Sequence, residues 1–477
     1  MSLQRLAGME LYPRSLAQDD SATFALAHTS RGPELAVMGD PAGFEGEVCG
    51  EALLCPLTSA NVATLRARLP WLRPQPLGLA KSFGFGDRLG LATPGHIRAL
   101  RQFAGVAPVF AQQSVRENAR TGRSPQQVVD EAMWGVFQEG WRQRWGADAD
   151  HLKTLQDVDD YVAAGYTLYT IDPGAHVDNA AETGDAALVA ARWDALPWED
   201  MQDCPADMVR RYVGRRFSMD GMGLELDQAT VLRAAAKYGR AIAHTARMYR
   251  HLADRSHRFE LEVSVDETEI PTSLQEHLFF ATELKRLGVS WVSLAPRYVG
   301  RFEKAADYIG DLAHFERELA GHVAIARALG PYKLSIHSGS DKFSIYPIVA
   351  RTAGDLVHVK TAGTSYLEAL RATAVSDPKL FRAILDLARQ RYEHDRATYH
   401  VSAETSRVPP AKALTDGQLP SLLGDFDARE VLHVTFGSVL DRFGRQLKES
   451  LSAHEETYCD ALQAHLGRHL APFALAG

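Results

Sequence analysis

The chain has 477 residues, 45% hydrophobic and 23% charged, with a formal net charge of -8. That is enough for one large domain with additions and a sizeable core. The acidic balance excludes the basic surface of an ordinary nucleic-acid binder, and no run approaches the roughly 20 apolar residues of a membrane span.

In chain order, residues 1–75 alternate short apolar runs with turn signals, as in AVMGDPAGFEG, and read as a small N-terminal α+β region. After the proline-punctuated LPWLRPQPLG the pattern becomes short apolar runs followed by amphipathic helical stretches, the signature of βα units. Eight strands are predicted, beginning near residues 77, 106, 145, 166, 258, 289, 332 and 356. Eight such units in sequence predict a (β/α)8 barrel over 76–375, with a helical insertion at about 177–257 and a helical C-terminal extension over 376–477. A doubly wound sheet is the competing fold, but GFGDRLG at 84–90 misses the GxGxxG phosphate loop.

Strands buried on both faces normally read as continuous apolar runs. Several here do not. In FELEVSVD, Leu261, Val263 and Val265 share one parity, whereas Glu260, Glu262, Ser264 and Asp266 share the other and point into the barrel. By the same alternation Ser335 and His337 face inward from KLSIH, and His358 and Lys360 from LVHVK. Asp150 and His151 end the third strand and Asp172 the fourth. Buried carboxylates and imidazoles need partners. A cation at the C-terminal strand ends, where barrel enzymes keep their active sites, would supply one.

Asp150-His151 is a workable pairing of base and metal ligand. His337 precedes the small-residue turn Ser338-Gly339-Ser340, suited to close ligand approach. A nitrogen and oxygen donor set without thiolate suits zinc, manganese, nickel or iron. The third metal ligand is open between His358 and Glu262; Glu262 is also a candidate catalytic acid/base beside Asp150. Gln112, Gln113, Arg116 and Asn118 are candidates to contact a polyhydroxylated substrate, and Arg297, Lys342 and Lys360 to hold a carboxylate. The cysteines Cys49, Cys55, Cys204 and Cys459 form no CxxC pair, and the opening residues lack the apolar stretch of a secretion signal. We therefore expect a cytoplasmic protein with reduced thiols, acting on a small molecule and not on nucleic acid or membrane; a homo-oligomer is compatible with this composition.

At these residues the chain resembles the tagaturonate/fructuronate epimerases. The carrying segments are SFGFGDRLGLATPGH, FAQQSVRENARTGR, WGVFQEGW, GADADH, EVSVDETEIPTS, HSGSDKFSIYP and HVKTAGTSYLEAL. The resemblance implies a metal-dependent isomerase that interconverts D-tagaturonate and D-fructuronate in hexuronate breakdown, with relatives acting on tagatose and fructose. A more distant resemblance is to class II aldolases. Their strand-end Asp-His pair and their histidine before a Gly/Ser turn look like Asp150-His151 and His337-Ser338-Gly339-Ser340. It implies proton transfer by Asp150 and a metal on His151 and His337; the aldolases' further histidine is expected near the sixth strand, where this chain reads SLAPRYVG, so the third ligand stays open between His358, which we carry forward, and Glu262. The implied chemistry is a retro-aldol/aldol inversion; a metal-dependent sugar aldolase and a non-catalytic sugar-binding protein are the alternatives.

Overall fold

A computed structural model describes residues 5–6 and 9–474. Residues 1–4, 7–8 and 475–477, which the expected regions 1–75 and 376–477 include, lie outside the described residues.

Eight parallel strands close into a barrel in sequential order. They are β1 (Ser82–Phe85), β2 (Ala107–Ser114), β3 (Gly146–Leu152), β4 (Leu168–Ile171), β5 (Glu260–Val265), β6 (Ser293–Pro296), β7 (Lys333–Ile336) and β8 (Val357–Thr361). Each overlaps a predicted strand segment, with β2, β3 and β8 running one or two residues past its end. Helices wrap the outside and begin where the sequence supplies N-caps: Ser124, Thr154 and Ser273 each form a reciprocal capping box with the residue three positions on.

Ahead of the barrel, Ala17–Gln18, Ala22–Thr29, Gly32–Gly39, Glu47–Cys49 and Ala52–Cys55 form a five-stranded antiparallel sheet, followed by the helix Ser59–Arg68. Between β4 and β5 come short helices and the hairpin Arg216–Met219/Met222–Glu225. The 28-residue helix Gln228–Arg255 that follows packs against Leu155–Ala164 and Leu274–Arg286, in the place of the β4–β5 crossover helix. Beyond β8, Glu455–Leu470 packs on both Thr93–Leu100 and Thr364–Ser376 and so closes the outer wall where the first and last barrel helices meet. No helix among the described residues is long and apolar enough to cross a membrane. Cys49, Cys55, Cys204 and Cys459 are all free thiols.

Candidate active site

The C-terminal ends of the strands open into a cavity of about 420 Å³. Its floor includes Gln112, Asp150, His151, Asp266, His337 and Lys360, and its roof includes Arg116, Lys304, Tyr399, His400 and His433. Tyr399 and His400 come from the segment after the helix Pro378–Asp395, and His433 from the helix Phe426–Val434, so the C-terminal region covers the barrel mouth.

Two adjacent residues of one strand ordinarily point to opposite faces. On β3 the pairing register with β4 shifts between Ala149 and Leu152, and His151 takes a left-handed backbone with φ 58°. This bulge turns Asp150 and His151 toward the same mouth. His151 Nδ1 lies 3.3 Å from Asp172 Oδ2, and Asp172 also accepts from the Gly174 amide at 2.8 Å, which fixes the ring from behind.

On β7 the chain leaves the barrel through His337. Ser338 and Asp341 both adopt positive φ, and an added Cβ at Gly339 would meet Val359 Cγ1 at 2.8 Å, so the turn is held tightly against β8. Asp341 anchors it further, with Arg429 at 2.5 Å and His465 at 2.6 Å, while its amide donates to His469 Nε2 at 2.9 Å. Asp341, His465 and His469 resemble a metal-binding group, but these bonds already occupy their facing atoms.

His337 Nε2 lies 2.7 Å from Glu262 Oε1, and Nδ1 lies 3.3 Å from Asp266 Oδ1 without forming a hydrogen bond. His151, Asp266 and His337 present donor atoms all within 4.8 Å of one another. The buried, unpartnered Nδ1 facing a carboxylate and a second imidazole is a fit for a divalent cation, and the two-nitrogen, one-oxygen set suits a borderline metal.

Behind this group Lys360 Nζ sits among three carboxylates, 2.7 Å from Asp148, 2.8 Å from Asp150 and 2.8 Å from Glu262. It also donates to Thr170 Oγ1 at 2.7 Å. Burial would lower the Lys360 ammonium, but the three carboxylates hold it well above its usual range. Burial would raise Asp150, but Lys360 and the two imidazoles draw it down to about 2. Burial and the neighbouring Asp150 and Glu262 leave Asp148 raised to about 6 despite Lys360. Burial would lower both imidazoles, yet Asp150 and Asp172 raise His151 to about 9, and Asp266 with Glu262 raises His337 to about 10. The centre is thus carboxylate-rich and draws its two imidazoles toward the cationic form.

The predicted residues divide. Asp150, His151, His337 and Lys360 come together. Asp266 joins them; its inward parity was readable, but its nearness to both imidazoles was not. Glu262 is buried beneath His337 and Lys360 and does not line the cavity. His358 is outside the three-residue donor set: its Nδ1 lies 2.9 Å from Ser82 Oγ, and burial lowers its imidazole to about 3. It sits two residues below Lys360 on the same inward face. Gln113 does not line the cavity either; it lies between Glu117 and Arg123, and Gln112 is the glutamine that reaches Asp150, at 3.0 Å. Lys342 is turned away, its ammonium donating to the backbone carbonyls of Glu303, Ala306 and Ser340. Arg297 lines the cavity but donates to the Thr268 carbonyl. Asp148, Lys304 and His433 were not singled out; Asp148 alone carried a signal, as the residue two before Asp150 on the same strand face.

A tagaturonate epimerase family model matches residues 12–473. The chain is 43% identical over 472 residues to the tagaturonate/fructuronate epimerase of Thermotoga maritima, covering 97% of this chain and 96% of that protein. Crystal structures of the fructuronate-tagaturonate epimerase of Cohnella laeviribosi, native and with glycerol, superpose with a TM-score of 0.93 at 36% identity, covering 98% of this chain and 96% of theirs.

Proposed function

The chain belongs to the tagaturonate epimerase family, and we propose that it interconverts D-tagaturonate and D-fructuronate by a metal-assisted retro-aldol/aldol inversion. The observation that carries this reading is the convergence of His151, Asp266 and His337 at a cavity floor that also presents Asp150 and Lys360.

The inverted carbon is two bonds from the ketone carbon, so its C–H is not acidified by that carbonyl. It bears the hydroxyl of a β-hydroxyketone, and cleavage of the adjacent C–C bond offers a route. His151, Asp266 and His337 would hold a divalent cation such as zinc, manganese, nickel or iron, which would supply Lewis-acid polarisation of the ketone, an effect of several kcal/mol.

The protein's own groups carry the protons. Asp150, ionised and lining the cavity, takes the hydroxyl proton from the carbon to be inverted. The C–C bond breaks, its electron pair passes toward the ketone, and an aldehyde fragment forms. That fragment rotates beneath the roof and is attacked on its other face. The new alkoxide takes a proton from Lys360, which recovers one from Asp150, its neighbour at 2.8 Å. Glu262 supports this cycle from below, against Lys360 and His337, without touching substrate. The roof retains the fragments, which favours inversion over release as in an aldolase. Four free thiols fit a reducing, cytoplasmic setting.

The test is incubation of metal-loaded protein with tagaturonate and identification of products by NMR. Fructuronate as the dominant product is expected. Net release of three-carbon products without fructuronate would make the enzyme an aldolase.

A further inference from the structure

The arginine and lysine side chains at the cavity are not equivalent. Among the described residues, Arg88 pairs with Glu117 at 2.8 Å, Arg116 with Glu267 at 3.5 Å and Arg301 with Glu303 at 3.3 Å. Arg297 donates to a backbone carbonyl, and Lys360 is enclosed by carboxylates. Lys304 differs. It lines the cavity, forms no ion pair among the described residues, and donates to Ser338 Oγ at 2.5 Å.

Its position follows from two constraints. Ser338 is the residue immediately after His337, and its positive φ turns the chain at the metal-ligating end of β7. Lys304 lies in the loop after β6 whose neighbour Glu303 is tied to Ser402, with Ser402 Oγ donating at 2.7 Å and the Ser402 amide at 3.1 Å. The Lys304 ammonium is therefore held beside the donor set by a fixed loop, with a neutral hydroxyl as its hydrogen-bond partner. An ammonium has three donors, so it can keep Ser338 and still accept an anion.

We infer that Lys304 is the anchor for the substrate's carboxylate and the residue that sets preference for a sugar acid over a neutral ketose. The inference rests on the uronate reading above. In a hexuronate whose ketone lies toward the opposite end of the chain, cleavage leaves the carboxylate on the aldehyde fragment. A hold on that group retains the fragment while its carbonyl turns over.

The experiment compares wild type, Lys304→Gln and Lys304→Arg in the metal-loaded enzyme. Initial rates with tagaturonate give KM, and inhibition by tagatose, which lacks the carboxylate, gives Ki. Loss of one charged contact predicts that Lys304→Gln raises the tagaturonate KM by about ten- to a hundredfold and leaves the tagatose Ki nearly unchanged, with Lys304→Arg recovering most of the loss. An unchanged tagaturonate KM, or a parallel loss for both sugars, overturns the anchor. Should Lys304→Gln fail to fold, wild type is read against salt: KM for tagaturonate rises with ionic strength and the tagatose Ki does not, and equal responses overturn the inference. If wild type epimerises no uronate at all, the functional reading has failed, a result separate from either outcome for Lys304.

Discussion

Lys360, on the last barrel strand, reaches across the interior to Asp150 on the third, with Nζ 2.8 Å from Oδ1. The contact joins the proposed base to the proposed proton donor, and it offsets the buried negative charge of Asp148, Asp150 and Glu262.

Replacing Asp150 by asparagine keeps its size and its contact with Gln112 within reach but removes the base. We expect turnover to fall about 10²–10⁴-fold while bound metal, measured by elemental analysis, stays at the wild-type level. Full activity in Asp150→Asn would remove this residue from the chemistry.

Asp172 orients His151 from outside the cavity. Asp172→Asn is expected to weaken divalent-metal affinity about 10–100-fold, read by competition with a chelator, and to lose activity that excess metal restores. Unaltered metal affinity would show that His151 needs no such support.

Lys360→Met leaves Asp148, Asp150 and Glu262 buried without their cation. Breaking buried pairs in this way costs about 3–5 kcal/mol, so a clear drop in melting temperature is expected at neutral pH, shrinking in acid as the carboxylates protonate. A melting temperature equal to wild type would show that the cluster relaxes without cost.

Glu430 gives a pH prediction that does not involve His151, Asp266 or His337. Burial, and then Glu303 beside it, raises its carboxyl from 4.5 to about 8 in the fold. The folded chain therefore holds a proton that the unfolded chain releases, and stability from this group declines as pH rises from 4.5 through 8. Glu430→Gln mimics the protonated form. Its melting temperature is expected to fall less than that of wild type between about pH 6 and pH 9; parallel curves would refute the shift.

The strands were legible because their outward positions are apolar and most are followed by a helical stretch, and the inward polar set followed from alternation on β5, β7 and β8. Depth was not legible. His358 and Lys360 share a face, yet only Lys360 reaches the mouth; which layer each occupies depends on pairing with β1, where His358 lies opposite Ser82 and Lys360 opposite Gly84. Nor does the run Val109-Phe110-Ala111, apolar on both faces, reveal which of Gln112 and Gln113 turns inward. The β3 bulge brings Asp150 and His151 together against simple alternation. Lys304 lay in a loop with no periodicity to read, and Lys342 looked like a ligand-facing turn residue because two of its three carbonyl partners, Glu303 and Ala306, are remote in sequence.

Tyr399, His400 and His433 all belong to chain made after the eighth stave. These parts of the cover are therefore made after the strands, whereas Arg116 and Lys304, also in the roof, come earlier in the chain. The His151, Asp266 and His337 group thus belongs to the ring itself, whereas part of the roof over it is supplied by a separate, later stretch of chain.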